Sequence, residues 1–201
     1  MNAAIHQFAL PKTQPSGRVL DVGCADGAAL MHPFYRKATE RHGIDIDAEA
    51  IGHGRWRYPS LNLIVGDAGK PLPYPDAHFE MVISKVSLPY VDLRMAIPEC
   101  ARVLASCGQL FLTLHDFRYF VRQFTNALKA RAPRRVIDHA YILGASLAYI
   151  ATGYVPARPW DGSRETFQTK SAIRRDLGRV GFGAVEFERT ARDWIITARK
   201  A

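Results

Sequence analysis

The stretch "RVLDVGCADGAAL", residues 18–30, ends an apolar run on an acid, Asp21, and follows it with Gly23 and Gly27, which bracket Asp26. Glycines at such a turn let the backbone approach a ligand closely. A pyrophosphate would require G-x-G-x-x-G and no acid beside a helix N-terminus. Asp21 and Asp26 repel a pyrophosphate and suit a ligand with a cationic end. Asp45 closes a second apolar run, 22 residues after Gly23, where a carboxylate can accept hydrogen bonds from both ribose hydroxyls. Asp67 follows a third run and can accept from an adenine amino group. Singly, each aspartate is an ordinary turn or cap former. At three successive strand ends, they describe a nucleoside carrying a positive charge.

The elements that must hold these acids are legible as apolar runs alternating with helix patterns. Strands are expected at 18–22, 42–46, 61–65, 79–84 and 109–114, nearly continuous in apolar residues as in strands covered on both faces. An alanine-rich helix is expected to open at Gly27, another over 48–57 behind Asp47 as N-cap, and a third over 94–105. The alternation predicts a parallel α/β sheet. Two closing strands, 183–189 and 193–199, are separated by a short link and predict an antiparallel edge hairpin. A final helix is expected behind Thr169, stopping at Gly181.

Residues 117–163 interrupt the rhythm. Phe117, Phe120, Val121, Phe124 and Leu128 recur at helical spacing before Pro133. The segment 136–155 approaches bilayer-spanning length but contains Asp138, His139 and two glycines, and is read as part of a helical cap over a site. The reading leaves peripheral contact with a membrane or lipid open. General bases expected near the carboxyl edge are His115 and Tyr90, with Asp116, His139 and Tyr141 as further choices. Lys85 is read as a wall residue. Thr166 and Gln168 in "ETFQ", together with Tyr141, are expected to orient a substrate.

Composition limits the alternatives. The 201 residues, 48% of them hydrophobic, suit one domain. No charged and apolar leader is evident in the first residues, and Cys24, Cys100 and Cys107 have neither disulfide-framework nor zinc spacing, so a cytoplasmic protein without a metal is expected. The net charge of +8 is concentrated in residues 117–201, with 16 basic and 7 acidic side chains. No RNA-binding aromatic motif or zinc finger turns that charge into a nucleic-acid site.

Over nearly its whole length the chain resembles the class I S-adenosylmethionine-dependent methyltransferases, specifically the small type 11 group. "VLDVGCADGAAL" resembles their first motif and "GIDIDAEAI" the ribose-binding one. "GDAGKPLPYPDAHFEMVISKVSLPYV" resembles the adenine and active-site stretch, and "ECARVLASCGQLFLTLHD" the approach to the fifth strand. The resemblance implies a Rossmann-like seven-stranded sheet with one antiparallel strand, and S-adenosylmethionine as cofactor. The Gly23 backbone and the Asp21 carboxylate would meet its methionine end, Ser84 would help bind the amine through its backbone, and Gly27 is counted among the cofactor-binding residues. Asp45 would hold the ribose, Ile46 would pack on the adenine, and Asp67 with the Ala68 N–H would read its edge. Ala25 stands where the family has glycine and Asp26 where threonine is common; Ala25 must then keep φ negative or accept mild strain. Cys107 replaces a usual Pro-Gly-Gly turn.

The expected reaction is in-line methyl transfer to a small molecule, either a specialised metabolite or an amphiphilic, lipid-like acceptor. A catalytically inactive cofactor-binding sensor and a nicotinamide or other nucleotide enzyme are the competing readings.

Overall fold

The nearly unbroken apolar strands demand cover on both faces, and the computed structural model provides it with seven strands between layers of helices. Residues 9–115, 117–190 and 193–201 are described. The strands are β1 (Arg18–Val22), β2 (Glu40–Asp45), β3 (Asn62–Val65), β4 (Phe79–Lys85), β5 (Leu104–His115), β6 (Phe182–Arg189) and β7 (Asp193–Lys200). Their order is β3-β2-β1-β4-β5-β7-β6. Strands β1 to β5 are parallel, and β7 runs antiparallel between β5 and β6. The chain winds outward to β3 and re-enters at β4 beside β1. That reversal opens a crevice at the carboxyl ends of β1 and β4, where open α/β sheets bind ligands.

Side chains alternate across the sheet into two apolar layers. Leu20, Val22, Val82, Leu110 and Leu112 face one, while Val19, Met81, Ile83 and Phe111 face the other. Helix α1 (Ala48–Arg57) starts at Asp47, whose carboxylate accepts from the Glu49 and Ala50 N–H groups. Helix α2 (Leu93–Val103) starts at Asp92, which accepts from the Arg94 N–H, and ends two residues earlier than expected. Its last residue hands the chain directly to the long strand β5.

One expected helix is absent. After Gly27 the chain makes two 3-10 turns, Ala28–Met31 and Pro33–Tyr35, instead of an α-helix. Only residues 28–39 separate Gly27 from β2, and Pro33, lacking an N–H, stops an α-helical ladder from propagating. This turn therefore presents no α-helix N-terminus to a ligand.

The segment expected as a cap contains a helical hairpin, α3 (Phe117–Lys129) and α4 (Pro133–Thr152), with Pro133 in the first turn and Gly153 left-handed at the C-cap. Phe120, Ile142 and Phe167 close a small core beneath it, and Tyr149 and Val155 join the main core. The Tyr149 hydroxyl donates to Asp176 at 2.7 Å, tying α4 to α5 (Lys170–Arg179). Thr169 caps α5 by accepting from the Ala172 N–H, as expected. No helix of the described residues is long and apolar enough to cross a membrane.

Candidate active site

Asp21 projects from β1 into the interior with 2% of its surface exposed, and its Oδ1 has no hydrogen-bond partner among the described residues. Burial pushes its pKa up to about 7, with Lys85 opposing that rise and Asp45 adding to it. The same burial lowers the Lys85 ammonium, with Asp21 resisting. Such an uncompensated carboxylate oxygen is costly by itself. It fits a site completed by a ligand's cationic group.

Gly23 must be glycine for two reasons. Its φ is +81°, and a Cβ would lie 2.2 Å from the Ser87 Cβ. Its N–H donates to the Ile44 carbonyl at 2.8 Å. The Ser87 hydroxyl donates to the Val22 carbonyl at 2.6 Å and so accepts from the Ser84 hydroxyl. This relay locks β4 to the turn after β1, and Ser87 is a participant that the sequence reading missed. Gly27 has a packing reason too, since its missing Cβ leaves room for Leu61 and Leu63.

Asp45 lies at the end of β2 beside this turn. Its Oδ2 accepts from the Ala25 N–H at 2.7 Å and its Oδ1 from the Asp47 N–H at 2.9 Å. One bond on each oxygen orients the carboxylate and leaves each with acceptor capacity. Ala25 takes the strained alternative: its φ is +49°. Asp26 accepts from the Ala28 N–H at 3.0 Å and acts as a turn former.

Ile46, 70% exposed, and Asp67 line one cleft of about 470 Å³ with Tyr90, Met95 and Arg164. Asp67 Oδ1 accepts from the Gly69 N–H at 2.8 Å. Ala68 packs against the main core at the border of this cleft rather than lining it.

A second cavity, about 230 Å³, lies under the cap and shares Tyr90 with the first. His115, Tyr119, Phe120, His139 and Thr166 are among its walls. Register pairs His115 of β5 with Asp193 of β7, and the His115 Nδ1 meets the Asp193 carboxylate at 2.8 Å. The carboxylate only accepts, so in the neutral ring Nδ1 carries the proton and Nε2 the lone pair. Tyr119 stacks on the imidazole at 4.2 Å between centroids and restrains it further. Asp193 escaped the sequence reading because its partnership depends on strand register.

Two expected substrate residues stand outside this cavity's lining. The buried Gln168 donates to the Thr166 hydroxyl at 2.7 Å and braces it, while Thr166 itself lines the cavity. Tyr141 turns its hydroxyl to the Pro156 carbonyl and its ring to Trp160, because the loop after α4 folds back over that face. Asp116 falls outside the described residues. No cluster of metal-ligating side chains occurs among the described residues.

The strand order, with an acid near the end of β1 and another at the end of β2, defines an open α/β sheet with a second pocket beside the crevice. The family model for a methyltransferase domain matches residues 19–108. A malonyl-[acyl-carrier protein] O-methyltransferase of Halorhodospira halophila is 36% identical over 113 residues, covering 50% of this chain and 38% of that protein. A probable S-adenosylmethionine-dependent methyltransferase of Mycobacterium tuberculosis is 32% identical over 98 residues, covering 47% and 34%. The matched region thus spans only about a third of the length of those relatives. An S-adenosylmethionine-dependent methyltransferase structure from Mesorhizobium loti superposes with a TM-score of 0.67 at 17% identity, covering 95% of this chain and 94% of that one. The fold is that of solved S-adenosylmethionine-dependent methyltransferase structures, and the stretch 19–108, which holds the expected motifs, is similar to the methyltransferase-domain model.

Proposed function

We propose that the chain binds S-adenosylmethionine along the carboxyl edge of β1, β2 and β4 and methylates a compact small molecule held under the α3–α4 cap. The observation that carries this reading is the shared wall at Tyr90. It joins the cleft containing Ile46 and Asp67 to the cavity containing an aspartate-oriented histidine.

On the cofactor side, Asp21 would balance the cationic methionine end, with the Gly23 and Gly27 turn and the Ser84 backbone shaping its seat. Asp45 would accept from the ribose hydroxyls, Ile46 would cover one adenine face, and Asp67 with the Ala68 N–H would meet its edge. When bound, S-adenosylmethionine supplies a methyl group on a sulfonium, and the acceptor's lone pair forms the new bond as the C–S electron pair returns to sulfur.

The protein's contribution is alignment, dehydration and proton removal. Orientation of this kind can supply roughly 7–11 kcal/mol. His115 Nε2 would take the acceptor's proton, held in register by Asp193, a role typically worth about 10²–10⁴-fold. Tyr90 would close the passage between the two compartments. The cavity's volume of about 230 Å³ supports a compact acceptor over a long lipid chain.

Isothermal titration with S-adenosylhomocysteine tests the reading. A Kd in the micromolar range is expected, weakened at least about tenfold in Asp45→Ala by loss of hydrogen bonds to a charged group. Absence of binding to the parent protein at about 1 mM would overturn it.

A further inference from the structure

The cap cavity has a hydrogen-bonding polarity that follows from two fixed imidazoles. His115 Nδ1 is committed to Asp193 at 2.8 Å, and His139 Nδ1 to the Arg135 carbonyl at 2.7 Å. Both partners are acceptors, so each neutral ring keeps its proton on Nδ1 and presents Nε2 as an acceptor. Asp138 lines the same cavity, half-buried, and has no hydrogen-bond or ion-pair partner among the described residues. Arg134 and Arg135, one turn earlier on α4, form no ion pair with it.

The remaining cation of the lining is already neutralised. Arg158 donates to Glu165 at 2.8 Å and stands 4.0 Å from Asp161, and its Nε–H has no hydrogen-bond partner among the described residues. Among the described residues of the lining, Asp138, Arg158 and Glu165 together carry one net negative charge. The strongly basic character of residues 117–201 is therefore not expressed inside the cavity. Phe120, Phe167 and Tyr119 supply aromatic walls. Aromatic faces attract cations, and a half-buried carboxylate without a partner offers one a counter-charge.

The geometry points to a compact cationic amine as the molecule recognised in this cavity, with its ammonium donating to the Asp138 carboxylate. This rests on the proposed methyltransferase function for its chemistry, but concerns recognition alone. A carboxylate-bearing acceptor would meet Asp138 and two lone-pair nitrogens, with no unpaired cation among the described residues of the lining to oppose them. A neutral alcohol would satisfy fewer of the acceptors than an ammonium with three N–H groups. The cavity of about 230 Å³ suits one ring with a short side chain.

The test uses three near-isosteric probes of different charge: 2-phenylethylamine, 2-phenylethanol and 3-phenylpropionate. Binding to the full chain is measured by titration calorimetry at pH 7, with and without S-adenosylhomocysteine. The amine should bind at least about tenfold tighter than the alcohol, and the anion weakest. Asp138→Asn should bring the amine to within about twofold of the alcohol while leaving the alcohol unchanged. The inference is overturned by equal binding of amine and alcohol, by preference for the anion, by no amine binding at about 10 mM, or by an Asp138→Asn protein that keeps the preference. Failure of S-adenosylhomocysteine to bind in the same series would refute the methyltransferase reading instead, because the amine comparison is also read without it.

Discussion

Asp21→Asn should separate stability from cofactor binding. The folded carboxyl titrates at about 7 against an ordinary value of 3.8, chiefly because burial disfavours its charge. A carboxyl raised in this way binds its proton more tightly in the folded state, so stability falls as pH rises from the lower value through the upper one. At about 1.36 kcal/mol per unit, the full cost of the ionised group is roughly 4 kcal/mol, of which about 3 kcal/mol develops between pH 5 and pH 9. Asparagine has no charge to desolvate and should escape that loss. Urea unfolding of both proteins across this range should show Asp21→Asn gaining on the wild type by about 3 kcal/mol by pH 9. Near the midpoint this corresponds to a lead of roughly 6–12 °C for a chain of this size. The same variant should lose affinity for S-adenosylmethionine, whose cationic end would lack its counter-charge. Wild-type affinity should weaken about fivefold from pH 7 to pH 6 as Asp21 protonates. Parallel stability profiles for the two proteins, or undiminished cofactor binding by Asp21→Asn, would refute the assignment of Asp21 as a buried carboxylate that Lys85 offsets only in part and that a ligand's cation completes.

Asp193→Asn should reduce methyl transfer by about 10²–10⁴-fold and leave S-adenosylhomocysteine affinity within twofold, because it disturbs only the histidine's tautomer and aim. Single-turnover rates beside calorimetry check this. Gly23→Ala should destabilise by about 2–4 kcal/mol, since its Cβ strikes the Ser87 Cβ and its φ is unfavourable; chemical denaturation measures the loss. Adding Ser87→Gly should restore part of it. Ala25→Gly should stabilise by about 1 kcal/mol by relieving the left-handed backbone at φ +49°, again read by denaturation.

Much of the cofactor edge is decided locally and could be seen in the chain. The continuous apolar strands require a sheet covered on both faces, and Asp47 and Thr169 announce their helices by cap chemistry that needs only neighbouring N–H groups. Asp21, Asp45 and Asp67 fall at strand ends because the apolar runs stop there. The missing helix after β1 shows the limit of such reading: alanine propensity favoured it, but the short connection and Pro33 prevailed.

The covered cavity could not be read in this way. His115 and Asp193 are 78 residues apart, and only the antiparallel register of β5 and β7 brings them to 2.8 Å. Tyr141 and Gln168 sit in the segments from which pocket residues were expected, yet loop closure and burial turn them to structural hydrogen bonds. Asp138 is an unremarkable helical acid until α4 packs against α3 and places it in the cavity beside two proton-fixed imidazoles. By itself, the sequence determined the sheet and the carboxylates at its edge, because hydrophobic period and turn chemistry are local properties. Only tertiary structure decided which groups face one another under the cap and what charge they present, because register, burial and side-chain direction arise when distant segments pack.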